Sequence, residues 1–233
     1  MLYLIGLGLN IDGISSYGLE MVKRCKRVYI ENYTVDFPYE LSELQELIGK
    51  KLIPADREFI ESLNIIDEAQ KMDVALLVYG SPLFATTHIT LVQEAKASKT
   101  RYKVIYAASI FDVIAETGLQ LYKFGKVASI PKHDADSFID IIKDNQKINA
   151  HSLVLADMGM EVEEALEKLE GAAKKNKIKL GKIILCQSLG TRHRKIYYNT
   201  IENLKDHKNI KKPYCIVVPS KLHFVEKEVL GGK

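Results

Sequence analysis

The sequence predicts an α/β protein with largely parallel sheets, because short apolar runs alternate with longer segments of helical period. Several runs are nearly continuous in valine, isoleucine and leucine, as expected for strands that are covered on both faces. The eight predicted strands are residues 2–7, 27–30, 74–79, 104–107, 126–130, 153–156, 183–186 and 215–218.

Amphipathic segments between these runs predict the helices. Segment 17–24 and segment 161–175 each carry an apolar stripe opposite charged residues, which is typical of a helix with one solvated face. Ser42 and Gln45 have the spacing of a capping box, and Gly49 is a typical helix stop. Segment 118–126 contains two glycines and no clear period, so we predict an N-terminal α/β domain at 1–117 and a C-terminal one at 118–233.

Composition and charge exclude several classes of protein. The net charge of +3, from 33 basic and 30 acidic residues, is too small for a broad cationic surface that binds nucleic acid. No apolar stretch approaches the roughly 18 residues that span a bilayer. The apolar start at residues 1–9 lacks a basic leader and predicts a buried strand rather than a signal peptide. We therefore expect a soluble protein without membrane or nucleic acid partners.

The three cysteines predict neither a disulfide framework nor a metal site. Cys25, Cys186 and Cys215 are far apart, odd in number and lack C-x-x-C spacing. Each lies in or beside an apolar run, which is typical of a buried structural thiol. Reduced thiols fit a cytoplasmic location.

Glycines end the first predicted strand, at Gly6-Leu7-Gly8. Glycine lets backbone approach a ligand closely, and ligands of open α/β sheets bind at the carboxyl edge. A phosphate-binding Walker A loop is excluded because Gly13 is followed by Ile14 rather than lysine. The dinucleotide fingerprint is excluded because position 11 is isoleucine. A plain tight turn remains an equal alternative.

Two further strand-end loops also consist of small residues. Residues 80–88 (GSPLFATTH) follow the strand at 74–79, and residues 107–110 (AASI) follow the strand at 104–107. The three loops are predicted to converge on one pocket. His88 is either a catalytic base or, as we favour from its place at the start of a helix, a structural residue.

Short motifs stand in order along the chain. They are Gly6-x-Gly8, residues 29–34 (YIENYT), Gly80-x-Pro82, residues 85–88 (ATTH), Ser109-Ile110, residues 118–125 (GLQLYKFG) and residues 219–226 (PSKLHFVE). In these motifs the chain resembles the tetrapyrrole methylase superfamily, and within it the diphthine synthase family. The resemblance reaches from residue 2 to residue 226.

The resemblance implies two α/β domains with a ligand cleft between them, and usually a homodimer. It implies an S-adenosyl-L-methionine-dependent methyltransferase that releases S-adenosyl-L-homocysteine and needs no metal. The implied acceptor is the amine of the 2-(3-amino-3-carboxypropyl)histidine intermediate on translation elongation factor 2, which is methylated repeatedly in diphthamide biosynthesis. Carried onto matching positions, the methyl-donor contacts are Leu9, Ser81, Phe84, Ser109, Ile110, Ala156, Ser188 and His223.

Two positions depart from the family pattern. Ser81 stands where the family usually has the aspartate of a Gly-Asp-Pro turn, and Ala108 stands where a proline is usual. A serine accepts a neutral hydrogen bond, which is weaker than the charge-assisted bond of a carboxylate. We therefore expect weaker donor binding.

No catalytic triad or paired carboxylates stand out, and the catalytic residues stay unassigned. Methyl transfer from a sulfonium needs no protonation of the leaving group, so positioning alone supplies much of the catalysis. Assistance from Glu31 or His223 in removing the amine proton is one interpretation, and a structural role for each is another. Two alternative functions remain: a methyltransferase that acts on a corrinoid or porphyrin ring, and a non-catalytic partner of the translation factor with a decayed donor site.

Overall fold

The computed structural model describes residues 1–231. The chain divides into two compact units, Met1–Ile110 and Phe111–Lys233. Each unit contains one five-stranded sheet with helices packed on it, which confirms the predicted α/β class. The domain boundary expected between residues 117 and 118 stays a prediction.

The first unit is built on a parallel sheet with the strand order β3-β2-β4-β1-β5. Each strand passes to the next through at least one helix, as parallel pairing requires. The elements are β1 (Leu2–Gly6), α1 (Ser16–Arg24), β2 (Arg27–Glu31), α2 (Leu41–Ile48), β3 (Ile53–Ala55), α3 (Arg57–Glu61), α4 (Asn64–Lys71), β4 (Val74–Val78), α5 (Ile89–Ala97) and β5 (Tyr102–Ile105).

Helices cover both faces of this sheet. Tyr3 and Ile5 of β1 belong to the apolar cluster that includes α1 and α2. Leu2 and Leu4, which alternate with them, belong to a second cluster that includes α3, α4 and α5. Side chains of a strand point alternately to opposite faces, so both faces of the sheet need apolar residues. This explains the continuous apolar runs from which the strands were predicted.

Neighbouring strands β1 and β4 send the chain to opposite faces of the sheet. From β1 the chain enters α1, on one face, and from β4 it enters α5, on the other. Adjacent strands whose connections leave in opposite directions open a crevice at their carboxyl ends, and ligands of open α/β sheets bind there. The fold therefore places a candidate site after Gly6 and Val78.

The second unit is built on a mixed sheet with the order β6-β7-β10-β8-β9, in which β6 and β7 are parallel and the other neighbours are antiparallel. Helices α7, α8 and α9 share one apolar cluster with this sheet. The elements from the unit boundary onward are α6 (Ile110–Val113), two 3-10 turns (Ile114–Thr117 and Leu121–Lys123), β6 (Ala128–Ile130), α7 (Phe138–Lys147), β7 (Ser152–Ala156), α8 (Val162–Lys175), β8 (Ile183–Gln187), β9 (Lys195–Asn199), α9 (Ile201–Lys205), β10 (Tyr214–Val218) and α10 (Phe224–Gly231).

The structure confirms all eight predicted strands within a few residues and adds β3 and β9. The capping box was wrong. Helix α2 begins at Leu41, one residue before Ser42, and the Gln45 side chain instead accepts a hydrogen bond from the Leu52 amide at 2.9 Å. Gly49 ends the helix in the left-handed conformation, as predicted. None of the helices within residues 1–231 is long and apolar enough to cross a membrane.

Candidate functional site

The loops that follow β1 and β4 are joined by backbone hydrogen bonds at the crevice between these strands. The Gly80 amide donates to the Gly8 carbonyl at 2.9 Å, and the Gly8 amide donates to the Gly80 carbonyl at 3.2 Å. The Leu7 amide donates to the Val78 carbonyl at 2.8 Å. Two of the three loops predicted to converge therefore do so by direct contact.

Both loops require glycine for physical reasons. A Cβ atom at Gly6 would lie 2.6 Å from the Gly80 carbonyl oxygen and 3.0 Å from the Ala107 Cβ atom. That approach is too close for any side chain. Gly80 has a φ of +71°, in the left-handed region that residues with a Cβ atom rarely adopt. The G-x-G pattern thus marks a real close approach of backbones.

The third loop reaches the same place. A Cβ atom at Gly80 would lie 3.8 Å from each of Leu9 Cδ2, Ala108 O and Ser109 Cα. Leu9 and Ser109 are buried, and the Leu9 carbonyl accepts a hydrogen bond from the Tyr79 hydroxyl at 3.0 Å. The structure therefore brings the predicted contact residues Leu9 and Ser109 together around Gly80.

Three other predicted contacts of the first unit stand on the same loops. Ser81 and Phe84 form a turn after Gly80, in which the Phe84 amide donates to the Ser81 carbonyl at 3.2 Å. Ala85 follows with a φ of 53°, which is unusual for alanine. Ile110 directly follows Ser109, and Ser81, Phe84 and Ile110 are all half-buried.

The structure favours the structural interpretation of His88 over a catalytic base. Its side chain has no solvent exposure. Its Nδ1 atom lies 3.2 Å from the Pro82 carbonyl oxygen, and its Nε2 atom lies 3.3 Å from the Tyr33 hydroxyl. Burial lowers the pKa of His88, although nearby Glu31 opposes that shift. With both ring nitrogens engaged inside the protein, the imidazole cannot take a proton from a substrate.

Glu31 is also held inside the first unit. Its carboxylate accepts the Tyr33 amide at 3.0 Å and the Thr34 hydroxyl at 2.7 Å, and the side chain is 1% exposed. A buried carboxylate needs such donors because desolvation is costly. The structure therefore favours the structural interpretation of Glu31.

In the second unit, Ala156 and Ser188 lie at one edge of the sheet. Ala156 ends β7, and Ser188 directly follows β8, which runs in the same direction. The Ser188 amide donates to the Pro213 carbonyl at 2.8 Å, just before the antiparallel strand β10 begins at Tyr214. Residues 213 and 214 therefore share this edge, although no sequence motif marks them.

His223 lies beyond the opposite edge of that sheet. It follows the far end of β10, close to Ser220, whose amide contacts His151 just before β7 begins. A five-residue strand separates the two edges by roughly 16 Å. The second unit thus brings together Ala156 and Ser188 but not His223, whose contact with the donor stays a prediction.

The two C-terminal resemblance segments meet at Glu226. This carboxylate, which has no solvent exposure, accepts the amides of Gln120 at 3.0 Å and His223 at 2.7 Å. The Lys123 ammonium donates to it at 2.5 Å and to the Lys221 carbonyl at 2.9 Å. Desolvation would raise the pKa of Glu226, but these donors outweigh it and lower the pKa to about 2.

His151 completes this cluster. Its Nδ1 atom accepts the Ser220 amide at 3.0 Å, so the ring proton must reside on Nε2, which lies 3.2 Å from the Glu226 carboxylate. Burial lowers the pKa of His151 in spite of the carboxylate beside it. The cluster holds residues 219–226 in place. It also joins them to residues 118–125, the other resemblance motif of the second unit.

Comparison with known proteins identifies relatives over the whole chain. Residues 1–205 match the family model of tetrapyrrole (corrin/porphyrin) methylases. The chain is 33% identical to a diphthine synthase of Methanococcus maripaludis, with 99% of this chain and 97% of that protein covered. It is 45% identical over 165 residues to a diphthine methyl ester synthase of Schizosaccharomyces pombe.

The coverage of these relatives differs. The match to the Schizosaccharomyces pombe protein spans 68% of this chain and 58% of that protein, so the chain spans about three fifths of its length. The fold also matches a crystal structure of diphthine synthase with a TM-score of 0.92 and 32% identity, covering 99% of this chain and 94% of that one. The paired glycine loops described above therefore stand in a fold that a diphthine synthase shares.

Proposed function

Because this chain belongs to the tetrapyrrole methylase family, we propose that it is an S-adenosyl-L-methionine-dependent methyltransferase of diphthamide biosynthesis. The observation that carries the proposal is the meeting of the Gly8, Gly80 and Ser109 loops at the β1–β4 crevice. Such a place suits a ligand recognised by backbone groups. The relatives named as diphthine synthases support the same reaction class.

The proposed donor contacts come from the family resemblance, and the arrangement of the loops supports them. In the first unit they are Leu9, Ser81, Phe84, Ser109 and Ile110, all on loops around Gly80. In the second unit they are Ala156 and Ser188, which share one edge of the sheet, and His223 is retained only from the resemblance. No catalytic acid or base is assigned.

The residues present fit a methyl donor of this kind. S-adenosyl-L-methionine supplies the methyl group when bound, and its sulfonium leaves as a neutral thioether without a proton. The chain's own task is to bind and orient. Leu9 and Ser109 lie buried beside Gly80, and the half-buried Ser81 offers a hydroxyl.

The proposed acceptor is the 2-(3-amino-3-carboxypropyl)histidine side chain of translation elongation factor 2, whose amine is methylated in successive steps. The name of the Schizosaccharomyces pombe relative favours a second product, in which a carboxylate is also methylated to an ester. The chain is 45% identical to that relative over 165 residues and 33% identical to the Methanococcus maripaludis protein over 249 residues. We propose a cytoplasmic homodimer that needs no metal.

The direct test is a reaction with purified components. The protein is mixed with S-adenosyl-L-methionine and elongation factor 2 that carries the unmethylated intermediate, and the mass of the factor is followed. We expect stepwise additions of methyl groups. Mild alkali then distinguishes the products, because it removes a methyl ester and leaves an N-methyl group.

Two outcomes would contradict the proposal. If the donor binds but the factor mass stays unchanged, the acceptor is wrong, and an absorbance change with a porphyrin or corrinoid would indicate ring methylation instead. If calorimetry detects no heat with S-adenosyl-L-methionine, the chain is a non-catalytic homologue.

A further inference from the structure

Two segments that carry the family resemblance contact each other in the first unit. Residues 31–34 begin at the last residue of β2, and residues 85–88 precede α5. The two segments meet where the Tyr33 hydroxyl lies 3.3 Å from His88 Nε2. Glu31 anchors the first segment through the Tyr33 amide and the Thr34 hydroxyl. The rings of Tyr33 and His88 are perpendicular, with centroids 6.4 Å apart.

The partners of His88 fix its protonation state. The Pro82 carbonyl is only an acceptor, so Nδ1, at 3.2 Å, must carry the ring proton. Nε2 then has a lone pair and accepts the Tyr33 hydroxyl proton. The complete burial of the ring disfavours a second proton. His88 is therefore a neutral imidazole that donates at one end and accepts at the other.

The Pro82 carbonyl lies inside the turn that carries two proposed donor contacts. Ser81 precedes it and Phe84 follows two residues later, joined by the hydrogen bond between the Ser81 carbonyl and the Phe84 amide. Apart from His88, the Thr86 hydroxyl approaches the same carbonyl, at a longer 3.4 Å. Ala85, which directly follows Phe84 at the end of the turn, has a φ of 53°, a conformation that needs support from its surroundings.

We propose that His88 is a positioning residue for the methyl donor, which fastens the 81–84 turn to the segment after β2 through Pro82 and Tyr33. The inference rests on the proposed function, because it assumes that Ser81 and Phe84 contact the donor. His88 touches neither donor nor acceptor. It acts by holding the Pro82 carbonyl, and thereby the side chains of the turn, in one orientation.

Two substitutions separate this role from a general contribution to stability. The side-chain nitrogen of asparagine can occupy the position of His88 Nδ1. His88→Asn therefore keeps a donor for the Pro82 carbonyl and loses the Tyr33 contact. The side chain of glutamine is longer, and its oxygen can occupy the position of His88 Nε2. His88→Gln therefore keeps an acceptor for the Tyr33 hydroxyl and loses the contact with the Pro82 carbonyl. Each variant loses one hydrogen bond from the same buried site, and we expect similar losses of thermal stability.

Their affinities for S-adenosyl-L-methionine should differ. We expect His88→Gln to weaken binding in calorimetry roughly tenfold and His88→Asn by less than about threefold. Tyr33→Phe should likewise lose less than about threefold, because it removes the Tyr33 contact and leaves the hydrogen bond between His88 and the Pro82 carbonyl in place. His133→Gln, at an exposed histidine, is the matched control and should bind like the wild type.

The outcomes distinguish the two levels of the proposal. No donor binding by the wild-type protein would overturn the proposed function. Normal wild-type binding with equal affinities for His88→Asn and His88→Gln would overturn the positioning role alone. Imidazole nitrogen NMR gives a test that needs no variant: His88 should show the Nδ1–H tautomer and His151 the Nε2–H tautomer. The Nε2–H tautomer at His88 would contradict the inference.

Discussion

The Glu226 carboxylate and the His151 imidazole lie 3.2 Å apart in the second unit, and neither side chain has any solvent exposure. The two residues are 75 positions apart in the sequence, and their contact joins α10 to the start of β7. A buried carboxylate with this set of donors stabilises the fold only while it is ionised and every donor keeps its place. Two features of the cluster can be tested independently of activity.

Replacing Glu226 with glutamine should destabilise the protein. The variant removes the charge that Lys123 and His151 face and turns one acceptor oxygen into a donor. Breaking a buried pair in this way typically costs about 3–5 kcal/mol. The measurement is the free energy of unfolding in urea. Glu228→Gln, at an exposed position of the same helix, should change it by less than about 0.5 kcal/mol. Equal losses in both variants would show that Glu226 has no special role.

The contribution of Glu226 should depend on pH in a defined direction. Its pKa in the folded protein is lowered from 4.5 to about 2, so the unfolded chain binds the proton more readily. The stabilisation is therefore complete above pH 4.5 and is lost as the pH falls from 4.5 towards 2. The difference in unfolding free energy between wild type and Glu226→Gln should shrink across that window. A difference that is independent of pH would contradict the assignment.

Alanine substitutions at two glycines should change stability in opposite directions, because Gly6 is tightly surrounded by other atoms and Gly171 is not. Gly6→Ala places a methyl group 2.6 Å from the Gly80 carbonyl oxygen, so backbone must shift. We expect a loss of about 1–3 kcal/mol in stability and weaker donor binding. Gly171→Ala adds a methyl group to helix α8 where no atom lies within 4 Å. It should stabilise by about 0.5–1 kcal/mol and leave binding unchanged. Denaturation and calorimetry on both variants check this pair.

The sequence predicted most strands because buried parallel strands need apolar residues on both faces, as in β1 and β4. It missed β3, a three-residue edge strand that contains Pro54, and β9, whose five residues are polar or half-buried. Short or amphipathic edge strands lack the continuous apolar run that revealed the others.

The candidate site was predictable only in part, because residue patterns do not fix strand order. Small residues at strand ends identified the Gly8, Gly80 and Ser109 loops, but their contact depends on β1 lying between β4 and β5. Likewise, nothing local distinguishes buried Glu226 from exposed Glu228. The long-range pairing with His151 decides which carboxylate is structural.

Ser81 offers the sharpest test of the donor site. An aspartate at this position adds a charge beside a cationic sulfonium ligand and replaces a neutral hydrogen bond with a charge-assisted one. We therefore expect Ser81→Asp to tighten the binding of S-adenosyl-L-methionine by about 1 kcal/mol, or roughly five- to tenfold. Calorimetry at low and high salt measures the affinity, and salt should reduce the gain because the added attraction is electrostatic. Ser42→Asp, which adds the same charge at an exposed position on α2, should leave the affinity unchanged. Equal affinities for wild type and Ser81→Asp would place residue 81 outside contact with the donor.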